Sequence, residues 1–153
     1  MNMPLFLADP SLLTPSVSFD FDGTLSRPDV QIYAAELVRR GLRVWVVTAR
    51  YDENHQHRYA ANPTNADLWA VTQQVGIPKH QVRFQNMRPK AEYLDWTHFV
   101  WHLDDDPVEL SQIQHSKLCQ VVGIDAFAGG WKAKCERLLR RTQPGITPQP
   151  EHR

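Results

Sequence analysis

The stretch VSFDFDGTLS, residues 17–26, decides how the rest of the chain is read. Val17, Phe19 and Phe21 alternate with a period of two, the pattern of a strand with one apolar face. Asp20 and Asp22 share the opposite face, and Gly23 and Thr24 close the run at its carboxyl end. Two carboxylates that close repel each other, so the arrangement calls for a cation, a raised pKa or both. A solvated strand end followed by a glycine turn is the alternative that the stretch by itself leaves open.

Downstream, helix and strand signals alternate. After Pro28 and Asp29, read as a cap, Val30, Tyr33, Ala34, Leu37 and Val38 recur at helical spacing until Gly41 stops them. RVWVVT (43–48) is an apolar run of the kind found in strands buried on both faces. Thr64 and Asp67 form a capping-box pattern ahead of Leu68, Val71, Thr72 and Val75, and Gly76 and Pro78 end that helix. QVRFQ (81–85) reads as a third strand, KAEYLDW (90–96) as a short helix and HFVWHLD (98–104) as a fourth strand. PVELSQIQH (107–115) is a helix, KLCQVVGI (117–124) a fifth strand, and a last helix over about 130–142 buries Trp131, Cys135, Leu138 and Leu139. This alternation predicts an α/β, Rossmann-like fold: a mainly parallel five-stranded sheet with helices on both faces. Residues 1–142 read as one domain and the Pro-rich polar end, 143–153, as a disordered tail.

Bulk composition narrows the function classes. Lys plus Arg and Asp plus Glu each number 17, so no global field draws the 153-residue chain to nucleic acid or an anionic membrane. Cys119 and Cys135 have neither metal-ligand spacing nor a disulfide framework, which fits reduced cytosolic thiols. The N-terminus lacks a signal-peptide pattern, and no window approaches the ~20 apolar residues that span a bilayer. The expectation is a cytoplasmic protein with no membrane partner.

In parallel sheets, ligands bind outside the carboxyl ends of the strands. That rule gathers Asp20 and Asp22, Thr48, and Asp104 and Asp105 from three strands onto one rim. An oxygen-only donor set suits a hard cation such as Mg²⁺. With Lys90 adding positive charge, the rim tolerates a dianion, for which phosphate is the commonest candidate. One Asp can attack phosphorus as nucleophile, and another two residues on can act as general acid and then base. Thr48 and the amide of Ala49 can hold the phosphoryl oxygens.

DxDGT at Asp20–Thr24, Thr48 after an apolar strand, Lys90, and LDDD at 103–106, in that order, resemble the haloacid dehalogenase superfamily of phosphatases over roughly residues 16–140. The resemblance implies that Asp20 is the nucleophile and a Mg²⁺ ligand, and that Asp22 is the acid/base and lends its backbone carbonyl to the metal. It implies a phosphate-binding set of Gly23, Thr48, Ala49 and Lys90, with Asp104 and Asp105 completing the metal site. An Asp at 22 fits the family's phosphatases, whereas its ATPases usually carry Thr there. Asp106, ahead of Pro107 and with Glu109 three positions on, reads as a helix cap. Thr48 follows Asp22 by 26 residues and Lys90 follows Thr48 by 42, which leaves no room for a folded cap domain. The missing cap and the DD pair resemble the phosphatase part of polynucleotide kinase-phosphatases, implying a nucleotide or nucleic-acid phosphate end as substrate.

The loop after Thr48 is the specificity candidate: Arg50, His55, His57 and Arg58 for a second phosphate or a base, Tyr51 or Tyr59 for stacking. A solvated loop is its other reading. Lys132, Lys134, Arg137, Arg140 and Arg141 read as a solvated helix face, with a nucleic-acid footprint as the sharper alternative. Three other functions compete: a sugar or metabolite phosphatase, a phosphotransferase, and a phosphate- or metal-binding regulatory module without turnover. Signal-receiver domains of the last kind carry their phosphorylated Asp on the third strand, and QVRFQ has none.

Overall fold

The computed structural model describes residues 14–55, 64–124 and 130–142. Residues 1–13 and 143–153, and the loop residues His57, Arg58 and Tyr59, lie outside these. Five strands, β1 (Ser16–Phe19), β2 (Arg43–Thr48), β3 (Val82–Phe84), β4 (Phe99–Asp104) and β5 (Gln120–Gly123), form one sheet in the order β3-β2-β1-β4-β5. Every neighbouring pair is parallel. The α/β, Rossmann-like architecture is therefore as expected, with β2 as long as its sequence signal and the other four strands shorter.

Both faces of the sheet are covered. On one face, α1 (Pro28–Arg39), α2 (Ala66–Val75) and α4 (Trp131–Thr142) pack Tyr33, Leu37, Leu68, Trp131 and Leu139 against Val17, Phe19, Val46, Trp101, Leu103 and Val122. On the other, α3 (Pro107–Ser116) and two short 3₁₀ segments, Lys90–Glu92 and Leu94–His98, bury Ile113, Tyr93 and Trp96 beside Val47 and Phe99. A bulge makes this sorting possible: Ser16 pairs with Phe99 but Val17 with Trp101, so Val100 is an extra residue. Phe99 thereby joins the second core while Trp101 and Leu103 face the first, and His102 and Asp104 are left on the second face.

Three local expectations are corrected. The predicted helix over 90–96 forms as the two 3₁₀ segments, because Trp96 Nε1 donates to the Lys90 carbonyl (2.6 Å) and the run is too short to carry a costly helix nucleus. Thr64 and Asp67 do not make a capping box: Asn65 is the N-cap of α2, without a side-chain cap bond, and Asp67 turns to Arg50. Asp29 lies inside the first turn of α1, behind Pro28, and is held by Arg27 (2.7 Å). Gly41 ends α1 as read: its φ of +88° lets its N–H reach Val38 O (3.0 Å) and Leu42 N–H reach Leu37 O (3.1 Å). Among the described residues no helix is long and apolar enough to cross a membrane.

Candidate functional site

The strand order reverses direction between β1 and β4, and the crevice at such a switch point is where parallel sheets hold ligands. Asp20 follows β1 directly and Asp104 ends β4; the Asp20 amide donates to Leu103 O (2.8 Å), which sets the two ends side by side. Past Asp20 the chain turns sharply. Asp22 is extended (φ −66°, ψ 125°) and Gly23 left-handed (φ +78°, ψ −3°), the two central residues of a type II turn. Glycine suits this position on two counts, the left-handed φ and the collision that a Cβ there would make with the Asp105 carboxylate.

Asp20, Asp104 and Asp105 each present an oxygen within 4.8 Å of the others. Opposite ligands of a six-coordinate Mg²⁺ are about 4.2 Å apart, so this all-oxygen trio fits a hard divalent cation after a small contraction. Lys90 carries the compensating charge. Its Nζ, 2% exposed with the rest of the side chain, bridges Asp20 Oδ1 (2.7 Å) and Asp104 Oδ2 (2.6 Å). The backbone of Lys90 is pinned as well, its N–H donating to Glu109 Oε2 (3.1 Å).

One lysine does not neutralise three carboxylates, and the titration of the group reflects this. Burial pushes Asp20 up to about 8, against the pull of Lys90 and with the push of Asp104. Burial also raises Asp105, an effect the hydrogen bond with Asp20 opposes and Asp104 reinforces. Asp104 goes the other way. Burial works to raise it, but hydrogen bonding from His102 and the charge of Lys90 hold it well below the usual carboxylate range. His102 is fully buried between Asp104 Oδ2 (2.8 Å from Nε2) and Ser18 Oγ (3.0 Å from Nδ1), and burial keeps it neutral. An ionised Asp104 only accepts, so Nε2 carries the proton and Nδ1 accepts from the serine hydroxyl.

The cleft over these groups measures about 490 Å³ and is lined by Asp20, Asp22, Ala49, Met87, Arg88, Lys90, Asp104, Asp105, Asp106, Pro107 and Glu109. Six of the sequence-predicted residues thus share one wall: Asp20, Asp22, Ala49, Lys90, Asp104 and Asp105. Thr48 and Gly23 are outside the lining. Thr48 is 1% exposed and its Oγ1 accepts from Arg50 N (3.3 Å), while the Gly23 N–H donates to Ser26 Oγ (3.0 Å). Asp106 caps α3, accepting from Val108 N (2.9 Å), as its spacing to Pro107 and Glu109 predicts.

Asp22 is not in the carboxylate trio; its two oxygens accept from Arg50 Nε (2.9 Å) and Nη2 (2.8 Å). Arg50 in turn grips Asp67 with both terminal nitrogens (2.8 Å each), and its guanidinium lies 4.9 Å from the centre of the Phe21 ring. Elsewhere in the loop, His55 is paired with Asp52 (2.7 Å), and the Tyr51 carbonyl accepts from Asn65 Nδ2 (3.1 Å). Sequence reasoning missed His102, Ser18, Glu109 and Asp67 as parts of this site. For Asp67 a signal was present, an acid free of any apolar pattern near a loop arginine, but the cap spacing claimed it first.

Comparisons with models of protein families, with curated proteins and with solved structures find no match to this chain.

Proposed function

We propose that the chain is a Mg²⁺-dependent phosphomonoester hydrolase of the haloacid dehalogenase kind, acting through an aspartyl-phosphate on Asp20. The observation that carries this reading is the buried Lys90 ammonium between Asp20 and Asp104, with Asp105 completing an oxygen trio at the switch point of the sheet. A lone cation buried between carboxylates is costly to assemble and of little use to stability, which favours a functional origin.

In this reading an Asp20 oxygen attacks phosphorus and the bond to the ester oxygen breaks. The departing electron pair stays on that oxygen, which takes a proton from Asp22. Water then gives a proton to the Asp22 carboxylate and attacks the same phosphorus, the Asp20–phosphorus bond breaks, and inorganic phosphate leaves with both aspartates restored. Lys90 holds Asp20 in line and offsets phosphoryl charge, and Ala49 offers its amide on the cleft wall. Mg²⁺, held by Asp20, Asp104, Asp105 and the Asp22 carbonyl, would supply further charge neutralisation at the phosphoryl oxygens.

A nucleotide or nucleic-acid phosphate end is the proposed substrate class. Its support is Met87, 63% exposed, and Arg88, which line the cleft beside its acidic groups; the Arg88 guanidinium is paired with Glu92 (2.8 Å), an exposed pair that a substrate phosphate can exchange at little cost. The test is phosphate release, with Mg²⁺ or with chelator, from an aryl phosphate, mononucleotides, sugar phosphates and oligonucleotides phosphorylated at either end. Metal-dependent release that is fastest from nucleotides or oligonucleotides supports the whole reading. A preference for sugar phosphates moves the substrate class, transfer to an added alcohol makes the protein a phosphotransferase, and silence with Mg²⁺ bound leaves a regulatory module.

A further inference from the structure

We infer that Arg50, anchored by Asp67, is a fixed strut that positions the Asp22 carboxylate for proton transfer; the inference rests on the hydrolase reading above. A guanidinium has five N–H donors, and all of Arg50's are spent. Nε and one Nη2 hydrogen go to Asp22 (2.9 and 2.8 Å), the other Nη2 hydrogen to Asp67 Oδ2 (2.8 Å), and Nη1 to Asp67 Oδ1 (2.8 Å) and Asn65 Oδ1 (3.3 Å). A substrate phosphate could reach Arg50 only by displacing one of these partners, and four of the five bonds end on carboxylates. Arg50 is therefore a positioning residue, and its expected part as a ligand of a second phosphate is withdrawn.

The division of those five bonds gives the strut its purpose. Three of them end on Asp67 and Asn65, away from the group that must change charge. When Asp22 takes up a proton, these three remain, together with the Phe21 ring beneath the guanidinium and the hydrogen bond from Arg50 N to Thr48 Oγ1. Asn65 is itself clamped, donating to Tyr51 O (3.1 Å) and Glu53 Oε2 (2.7 Å), and Asp67 accepts from Leu68 N (2.9 Å). Arg50 thus keeps its place through both halves of a catalytic cycle, and Asp22 returns to the same point on the cleft wall each time. Fork-to-fork pairing fixes the plane of a carboxylate as well as its distance, which a lysine cannot do.

The test separates positioning from general structural damage. Leaving-group protonation matters for an alkyl ester and hardly for an aryl phosphate whose leaving oxygen is stable as an anion. The ratio kcat/KM stops at formation of the phospho-enzyme, so the later attack of water, common to both esters, does not enter it. Asp67→Asn and Arg50→Lys should each lower kcat/KM for an alkyl phosphate about ten- to a hundredfold more than for the aryl phosphate. Adding Asp67→Asn to Asp22→Asn should cost the alkyl ester nothing further, because the group being positioned is already gone. Equal losses on the two esters, or full additivity in the double variant, overturn the strut. A wild-type protein inert on both esters overturns the hydrolase reading, and the strut with it.

Discussion

Replacing Lys90 by Met removes the only positive charge among the described residues that contacts both Asp20 and Asp104, and keeps a chain of similar shape. In the native protein Asp20 already tends to hold a proton, being pushed up to about 8, while Asp104 stays ionised against Lys90 and His102. Without Lys90 the fully buried Asp104 loses its counter-charge and must protonate to stay inside. Holding a carboxyl of ordinary pKa 3.8 neutral costs up to about 4.4 kcal/mol at pH 7 and about 1.6 kcal/mol at pH 5, at 1.36 kcal/mol per pH unit. The first figure agrees with the roughly 3–5 kcal/mol lost when one member of a buried pair is removed. The sign follows from linkage: a carboxyl whose folded pKa rises above its unfolded value gives a penalty absent below the unfolded pKa and growing as pH rises. Urea denaturation of both proteins in chelator at pH 5 and pH 7 measures it. In a domain of this size 4 kcal/mol also corresponds to a Tm lower by about 8–16 °C. A loss under about 1 kcal/mol, or one of the same size at both pH values, would refute the picture of a lysine buried as counter-charge.

Gly23→Ala forces a side chain into the left-handed turn and against the Asp105 carboxylate, so it should cost about 1–2 kcal/mol of backbone strain and displace one of the three oxygens. The rise in Tm produced by Mg²⁺ should shrink in this variant; an undiminished rise would mean that Asp105 takes no part in metal binding. Asp106→Ala removes the cap of α3 and should lower stability by about 1 kcal/mol in urea while leaving the Mg²⁺-induced rise intact. A lost Mg²⁺ response there would make Asp106 a ligand and not a cap.

The fold was legible because its signals are physical necessities of a doubly covered parallel sheet. Val44, Val46 and Val47 are buried because helices cover both sides of β2, and that is why 43–48 reads as a nearly unbroken apolar run. The rim residues were legible because a strand's carboxyl end is a fixed place in such a sheet. Pairwise partnership was not. Ser18 and His102 sit on central strands covered on both faces, where apolar groups are expected, and their mutual bond and Asp104 explain them. Arg50 read as a substrate contact because a loop arginine shows its charge in the sequence but not the two carboxylates that consume it. Asp67 was misread because cap spacing and a tertiary ion pair compete for one side chain, and a bidentate guanidinium outbids a single backbone N–H. The bulge at Val100, which turns His102 and Asp104 toward Lys90, leaves no trace in local pattern at all.

In the proposed reaction an Asp20 carboxylate oxygen receives the phosphoryl group. The most direct measurement is Mg²⁺-dependent phosphate release by wild type and Asp20→Asn on the best ester of the panel, with matched circular dichroism and Tm. The account predicts release by the wild type and none above background by a folded Asp20→Asn protein. A folded variant that retains the wild-type rate would contradict it.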